Sequence, residues 1–428
     1  MLKTSALVLL MLLAGAPPSP GYAVLTHEAV IDSAWKDINQ ILVERFPAAT
    51  PEDLKKAHAF AYGGCIIQDM GYYPFGSHYF SDLVHYVRSG DFVLALLRDA
   101  RDLDETAFAL GALAHYSADS NGHPVAVNRA VAIEYPRLRA QFGDVVTYGE
   151  NPAAHLKTEF GFDVVEVAQG NYAAEDYHDF IGFQVSKDLL ERAFRETYGL
   201  ELKKQFKSLD LALGTYRRTV STILPEATKV AWAQKQKEIV KARPGMTKQK
   251  FLYNIKRSSY EKQWGGDYER PGIFARILAF ALRIIPKVGP FKTIAFKPPT
   301  AQTETLFMRS FNLTLDFYRE HLQQARAKQL QLPNLDFDTG RPAILGEYGL
   351  ADETSAKLLC DLAKQGFQGV TPELKRSLLA FYVDPKPLQT ALKTAKKKNR
   401  SNWSGAMAAL EQLRTFNVSP SGPIIEAN

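Results

Sequence analysis

The sequence predicts an all-α protein. Two observations carry that reading: apolar residues recur at helical spacing along most of the chain, and strand-like alternation is scarce. The punctuation is the third, because helix-start and helix-stop residues fall between the periodic stretches.

In chain order, residues 28–46 place Val30, Trp35, Ile38, Ile41 and Leu42 near one face of a helix. Residues 51–62 open with Pro51, Glu52 and Asp53, which suit a first helical turn. Residues 81–100 read as two short helices divided at Ser89 and Gly90. Residues 104–120 form a strongly apolar helix that starts at Asp104 and ends near Asn121 and Gly122. Residues 186–240 read as long helices of mixed charge, and 302–328 and 351–383 are helical again. Pro244, Gly245 and the stretch from Trp264 to Asp267 mark loops, and the tail after Ser419 reads as frayed.

The chain has 428 residues, 23% charged and 46% hydrophobic, as expected of one large or two medium globular domains. Lys3, the apolar run from Ala6 to Ala16 and the small residues up to Ala23 have the layout of an export signal. Residues 1–23 are therefore expected to be a signal peptide, cut after Ala23 or Gly21, on a secreted or periplasmic protein. The apolar run is too short to span a bilayer. The chain has two cysteines, Cys65 and Cys360, and no disulfide framework is needed at this size. One long-range bridge, two free thiols, or a metal-ligand role for Cys65 all fit.

The net charge of +6 is unevenly placed. Residues 241–300 hold thirteen Lys and Arg against three Asp and Glu. Such a block attracts phosphate on lipid headgroups or nucleic acid, or is simply a solvated face. Within it, residues 270–299 carry an apolar run from Gly272 to Ile285, with Arg276 and Arg283 on one face and Pro286 and Pro290 at its end. An interfacial anchor and a buried helix with snorkelling arginines both fit this pattern.

Eight of the nine histidines precede residue 180. His115 and Asp119 are four apart and project from one helix face; His123 lies four further on. His155 and Glu159 repeat the spacing on a second helix. Zinc takes imidazole nitrogen and carboxylate oxygen at about 2.0–2.2 Å, which such pairs supply. A bridging carboxylate such as Asp119 would let two ions sit about 3.5–4 Å apart, where they can polarise a phosphoryl oxygen and activate water. His58, His178 and His321 read as surface or capping residues. Tyr72, Tyr73, Tyr79 and Tyr86 fit either a substrate cleft or core packing.

With His27 in "VLTHEAV", Asp69 in "GGCIIQDMGYYPFG" and His85 in "SDLVHYVRSGDF", these residues form an ordered series over about residues 24–165. The series resembles the zinc-dependent phospholipase C family, which is related to the fungal single-strand-specific nucleases. The resemblance implies a multi-helix metal-binding core at 24–200, a helical C-terminal extension at 201–428, and two or three Zn²⁺ ions. It implies that His85, His115 and Asp119 bind one ion, and that His123, His155 and Glu159 bind another. His27, Asp119 and the N-terminal residue would bind a third. Asp69 resembles the carboxylate that orients or deprotonates the attacking water. Three departures stand out. No Trp precedes His27, where well-known members start with one, so Tyr22 or Val24 would take its place. The gap from Asp119 to His123 is short. Residues beyond about 200 have no counterpart. His78 competes with His85, which is preferred because "DLVHYV" reads as helix while His78 sits among Gly, Ser and Pro.

Three functions follow as expectations. The first is a metal-dependent phosphodiesterase acting on phospholipid headgroups, with peripheral membrane contact through 270–299. The second is a single-strand nuclease or a phosphatase on the same metals, although no basic and aromatic interleaving flanks the metal motifs. The third is a zinc-stabilised scaffold without activity; carboxylate-rich donors with a further Asp nearby speak instead for catalysis.

Overall fold

A computed structural model describes residues 23–163, 182–220, 299–384 and 397–418, together with positions 236 and 240. The described residues are helical apart from loops and one two-stranded hairpin, as the spacing predicts.

Helix α1 spans Val24–Arg45 and buries Val30, Ile31, Ala34, Ile38 and Leu42. Helix α2 (Pro51–Ile66) opens on a reciprocal cap. Thr50 Oγ1 accepts the Asp53 N–H, while the Asp53 carboxylate accepts the Thr50 N–H. Helices α3 (His78–Tyr86) and α4 (Ser89–Asp99) meet at Val87 and Arg88, just before the expected break. Arg88 makes the turn at φ 52°, held by the Asp91 carboxylate and the Thr197 carbonyl. Gly90 serves close packing instead, since a Cβ there would lie 2.4 Å from Leu332 O.

Helix α5 (Leu103–Gly122) is the axis of the core. It packs against α2 with glycines at the crossing. A Cβ on Gly64 would come within 1.9 Å of Phe108 O, and one on Gly111 within 2.0 Å of Ala61 O. The expected stop at Asn121 and Gly122 does not occur. His123 N–H still bonds to Asp119 O, and the chain runs through a π-helical turn (His123–Val127) into α6 (Asn128–Glu134). Pro124, which has no N–H to donate, sits in that wider turn.

Helices α7 (Pro136–Phe142) and α8 (Pro152–Phe162) follow. Of residues 186–240, those described form α9 (Lys187–Tyr198), a 3₁₀ turn at Leu202–Gln205, and α10 (Leu209–Arg218). Gly199, at φ 65°, ends α9.

The C-terminal residues return to this core. Helix α11 (Ala301–Arg326) lies on α1 and α5. Tyr318 Oη donates to Leu110 O at 2.9 Å, and an Arg319 guanidinium N–H reaches Ser33 O at 3.1 Å. A hairpin pairs β1 (Leu335–Asp336) antiparallel with β2 (Arg341–Pro342). The stretch 351–383 divides into α12 (Gly349–Lys364) and α13 (Pro372–Phe381), because Gly366 and Gly369 take positive φ between them. Helix α14 (Lys397–Thr415) packs on α12.

Cys65 is buried, and neither it nor Cys360 takes part in a disulfide. No helix among the described residues is long and apolar enough to cross a membrane. The expected signal peptide, apart from Ala23, lies outside the described residues. So do His178, the basic block up to residue 298, and the amphipathic stretch 270–299 save Pro299.

Candidate metal centre

Two clusters of buried donors meet at the C-terminal half of α5. Asp69, His85, His115 and Asp119 offer donor atoms that all lie within 4.8 Å of one another; His123, His155 and Glu159 form a second such set. Every one of these side chains is 3% exposed or less.

Backbone carbonyls fix the rings. His115 Nδ1 donates to Cys65 O at 2.8 Å, and His85 Nδ1 donates to Ser81 O at 2.8 Å. A carbonyl only accepts, so each Nδ1 carries the proton and each Nε2 is left facing inward. The two Nε2 atoms stand 3.2 Å apart. Around them, Asp119 Oδ2 lies 3.2 Å from His115 and 3.5 Å from His85, and Asp69 Oδ1 lies 3.3 Å from His85. In the second cluster, His155 Nε2 donates to Val146 O at 2.6 Å, which leaves Nδ1 facing Glu159 Oε1 at 3.4 Å.

These spacings fit a shared cation. Two ligands at about 2.1 Å from a tetrahedral ion stand about 3.4 Å apart, so the gaps around the inward Nε2 atoms leave room for one. Asp69 Oδ1 and His155 Nδ1 are buried and make no hydrogen bond. Such groups are costly inside a protein unless an ion or a proton serves them. Imidazole and carboxylate donors are those that zinc accepts.

His27 comes from the first turn of α1. Its Nε2 stands 3.3 Å from Asp119 Oδ1 and 3.9 Å from Asp69 Oδ2, and its ring stacks on His115 at 4.4 Å. Asp119 thus faces four histidines, since His123 Nε2 also stands 3.9 Å from its Oδ2. His85, rather than His78, belongs to the cluster. His78 begins α3, where its ring meets Tyr72 edge-on at 5.5 Å. The π turn brings His123 to His155, with ring centroids 5.9 Å apart, and so accommodates the short gap after Asp119. His58 is not a surface residue: it stacks on Trp35 at 3.8 Å and bonds to Asp32 at 2.9 Å. His321, likewise partly buried, bonds Ser117 Oγ at 2.9 Å.

Without metal the cluster divides its protons. Burial opposes charge on His85, but the adjoining Asp119 and Asp69 outweigh it and push the pKa up to about 10. His123 goes up to about 9 against the same burial, because Asp338 and Asp119 lie beside it. Burial lowers His115. Asp119 is held well below the usual carboxylate range: burial works the other way, and the His115 and His27 rings overcome it.

Two residues that sequence reasoning missed complete the surroundings. Asp163 ends α8 and accepts from Leu25 N at 2.9 Å, Thr26 N at 3.0 Å and Thr26 Oγ1 at 2.6 Å. It satisfies the open N–H groups at the start of α1 and so seats His27. The row His155, Glu159, Asp163 at four-residue steps was the available signal. Asp338 follows β1 and reaches His123; no local pattern in "NLDFDTGRP" announces it.

Residues 26–208 match the family model described as zinc-dependent phospholipase C. No curated protein and no solved structure matches the chain. The matched segment contains every donor of both clusters, on an all-α frame. Over that segment, which is less than half of its length, the chain is similar to the zinc-dependent phospholipase C family.

Proposed function

We propose that the chain is an exported zinc-dependent phosphodiesterase that hydrolyses the headgroup phosphoester of phospholipids. Its zinc-binding core is residues 24–200, with 201–428 as a helical extension. His85, His115 and Asp119 hold one ion, with Asp69 beside it, and His123, His155 and Glu159 hold another. His27 and Asp119, with the N-terminal residue, hold a third. The observation that carries this reading is the facing Nε2 pair of His85 and His115, 3.2 Å apart beside Asp119. Two inward ring nitrogens, both with Nδ1 committed to a carbonyl, call for a cation between them.

Zinc bound there supplies a Lewis acid for the phosphoryl oxygens and makes a nearby water acidic. The chain's own residues do the rest. Asp69 comes from a buried 3₁₀ turn (Ile67–Tyr72), and its Oδ1 makes no hydrogen bond. It orients the attacking water and takes its proton as the oxygen–phosphorus bond forms. The bond from phosphorus to the glycerol oxygen breaks, and the proton taken up by Asp69 passes to that oxygen, so that diacylglycerol leaves as the alcohol. The carbonyls of Ser81, Cys65 and Val146 keep three histidines in fixed tautomers throughout.

The test uses purified protein with phosphatidylcholine vesicles and, separately, single-stranded DNA. Release of phosphocholine, lost in Asp69→Asn with zinc content retained, is the expected result. Cleavage of DNA alone would overturn the lipid reading. Less than one zinc per chain would overturn the metal reading altogether.

A further inference from the structure

The hairpin and the loop after it lie outside residues 26–208, yet they reach both donor clusters. Phe337, fully buried, sets its ring 5.5 Å from that of His85 and 6.1 Å from that of His115, and its N–H donates to His85 O at 3.2 Å. Asp338 is 1% exposed, and its Oδ1 stands 3.4 Å from His123 Nδ1. Its other oxygen is fully engaged. Oδ2 accepts the Tyr148 N–H at 2.8 Å and the Tyr348 hydroxyl at 2.5 Å. The Asp338 carbonyl accepts from Asn128 Nδ2 at 2.8 Å. The hairpin itself is anchored: Asp336 caps its turn through Thr339 N at 2.8 Å, and Gly340 sits where a Cβ would be 2.6 Å from Ser120 O. A buried carboxylate held on one oxygen, with the other aimed at one ring nitrogen, is a device for holding that ring.

We propose that Asp338 is a positioning residue of the second cluster: it holds the His123 imidazole by Nδ1, so that Nε2 serves as the donor beside His155 and Glu159. Histidines on metals recurrently give their second ring nitrogen to a carboxylate, and losing that partner lowers metal affinity by about 10–100-fold. The C-terminal region therefore contributes to the metal centre and does not merely extend from it. This rests on the zinc reading above.

The test is zinc affinity, measured by chelator competition, and zinc content at saturation, in the full chain. Asp338→Asn is expected to weaken one class of zinc site by about 10–100-fold while full occupancy returns at high zinc. Tyr348→Phe, which keeps the ring and removes one hydrogen bond to Asp338, is expected to give a smaller loss in the same site. In a His123→Ala background, Asp338→Asn is expected to change zinc affinity no further, which a general loss of structure would not produce. Unchanged affinity in both single variants would overturn the proposal while leaving the zinc reading intact. Permanent loss of one ion in Asp338→Asn, not recovered at high zinc, would make Asp338 a direct ligand and overturn it as well. A wild-type chain without zinc would instead remove the reading on which it rests.

Discussion

His85 Nε2 and His115 Nε2 face each other at 3.2 Å, while the Nδ1 atom of each ring is bonded to a backbone carbonyl on its far side. Two lone pairs cannot share that space unless a proton or a metal ion lies between them. In the metal-free protein the proton falls to His85, the ring flanked by two carboxylates.

Zinc must displace that proton, and this sets a pH dependence. His85, at about 10, and His123, at about 9, are both charged at pH 7 in the metal-free fold. Zinc binds neutral imidazole, so loading both clusters at pH 7 is expected to release about two protons. Affinity then rises with pH, by about 100-fold per unit for the pair, and levels off above about pH 9–10. The stability that the raised pKa values give the metal-free fold has the opposite course. It is fully present below about pH 6.5 and is lost as pH rises through 9–10. Titration calorimetry in buffers of different ionisation enthalpy measures the proton count. A count near zero at pH 7 would contradict the arrangement.

His78 and His85 separate cleanly. His85→Ala removes an inward ring and is expected to lower zinc content by about one ion. His78→Ala, at the rim of α3 against Tyr72, is expected to leave it unchanged. Metal analysis of both variants decides.

The α2–α5 crossing is expected to be intolerant of added bulk. In Gly111→Ala the new methyl would fall 2.0 Å from Ala61 O and 2.9 Å from Cys65 N. Separating the helices costs about 1–3 kcal/mol, and also shifts the Cys65 carbonyl that fixes His115. A lower melting temperature together with weaker zinc binding is expected. An unchanged melting temperature would show that the crossing is looser than these distances imply.

Asp163→Ala tests how α1 is seated. It removes acceptors for Leu25 N, Thr26 N and Thr26 Oγ1 inside the protein. The expected loss is about 1–3 kcal/mol of stability, with zinc binding near His27 affected more than that at His155 and Glu159. Thermal melts with and without zinc report both effects. Equal stability to the wild type would mean that water or another group satisfies the start of the helix.

The sequence alone determined the helical class and marked most of the residues that the structure gathers into the two clusters. Period and residue type survive without any tertiary information: His115 with Asp119 and His155 with Glu159 are neighbours because a helix has 3.6 residues per turn. The order of His27, Asp69 and His85 before them was legible for the same reason that a family model matches 26–208. Tertiary structure decided what spacing cannot encode. Asn121 and Gly122 read as a stop, yet packing carries α5 through a π turn, and only that turn brings His123 to His155. Gly90 read as the hinge, but its missing Cβ admits Leu332 O, and Arg88 makes the bend. Asp338 lies 215 residues beyond His123 in the chain, and its role comes entirely from where a hairpin folds back. A local pattern records which residues share a helix face. Which distant backbone closes over that face is fixed only when the whole core packs.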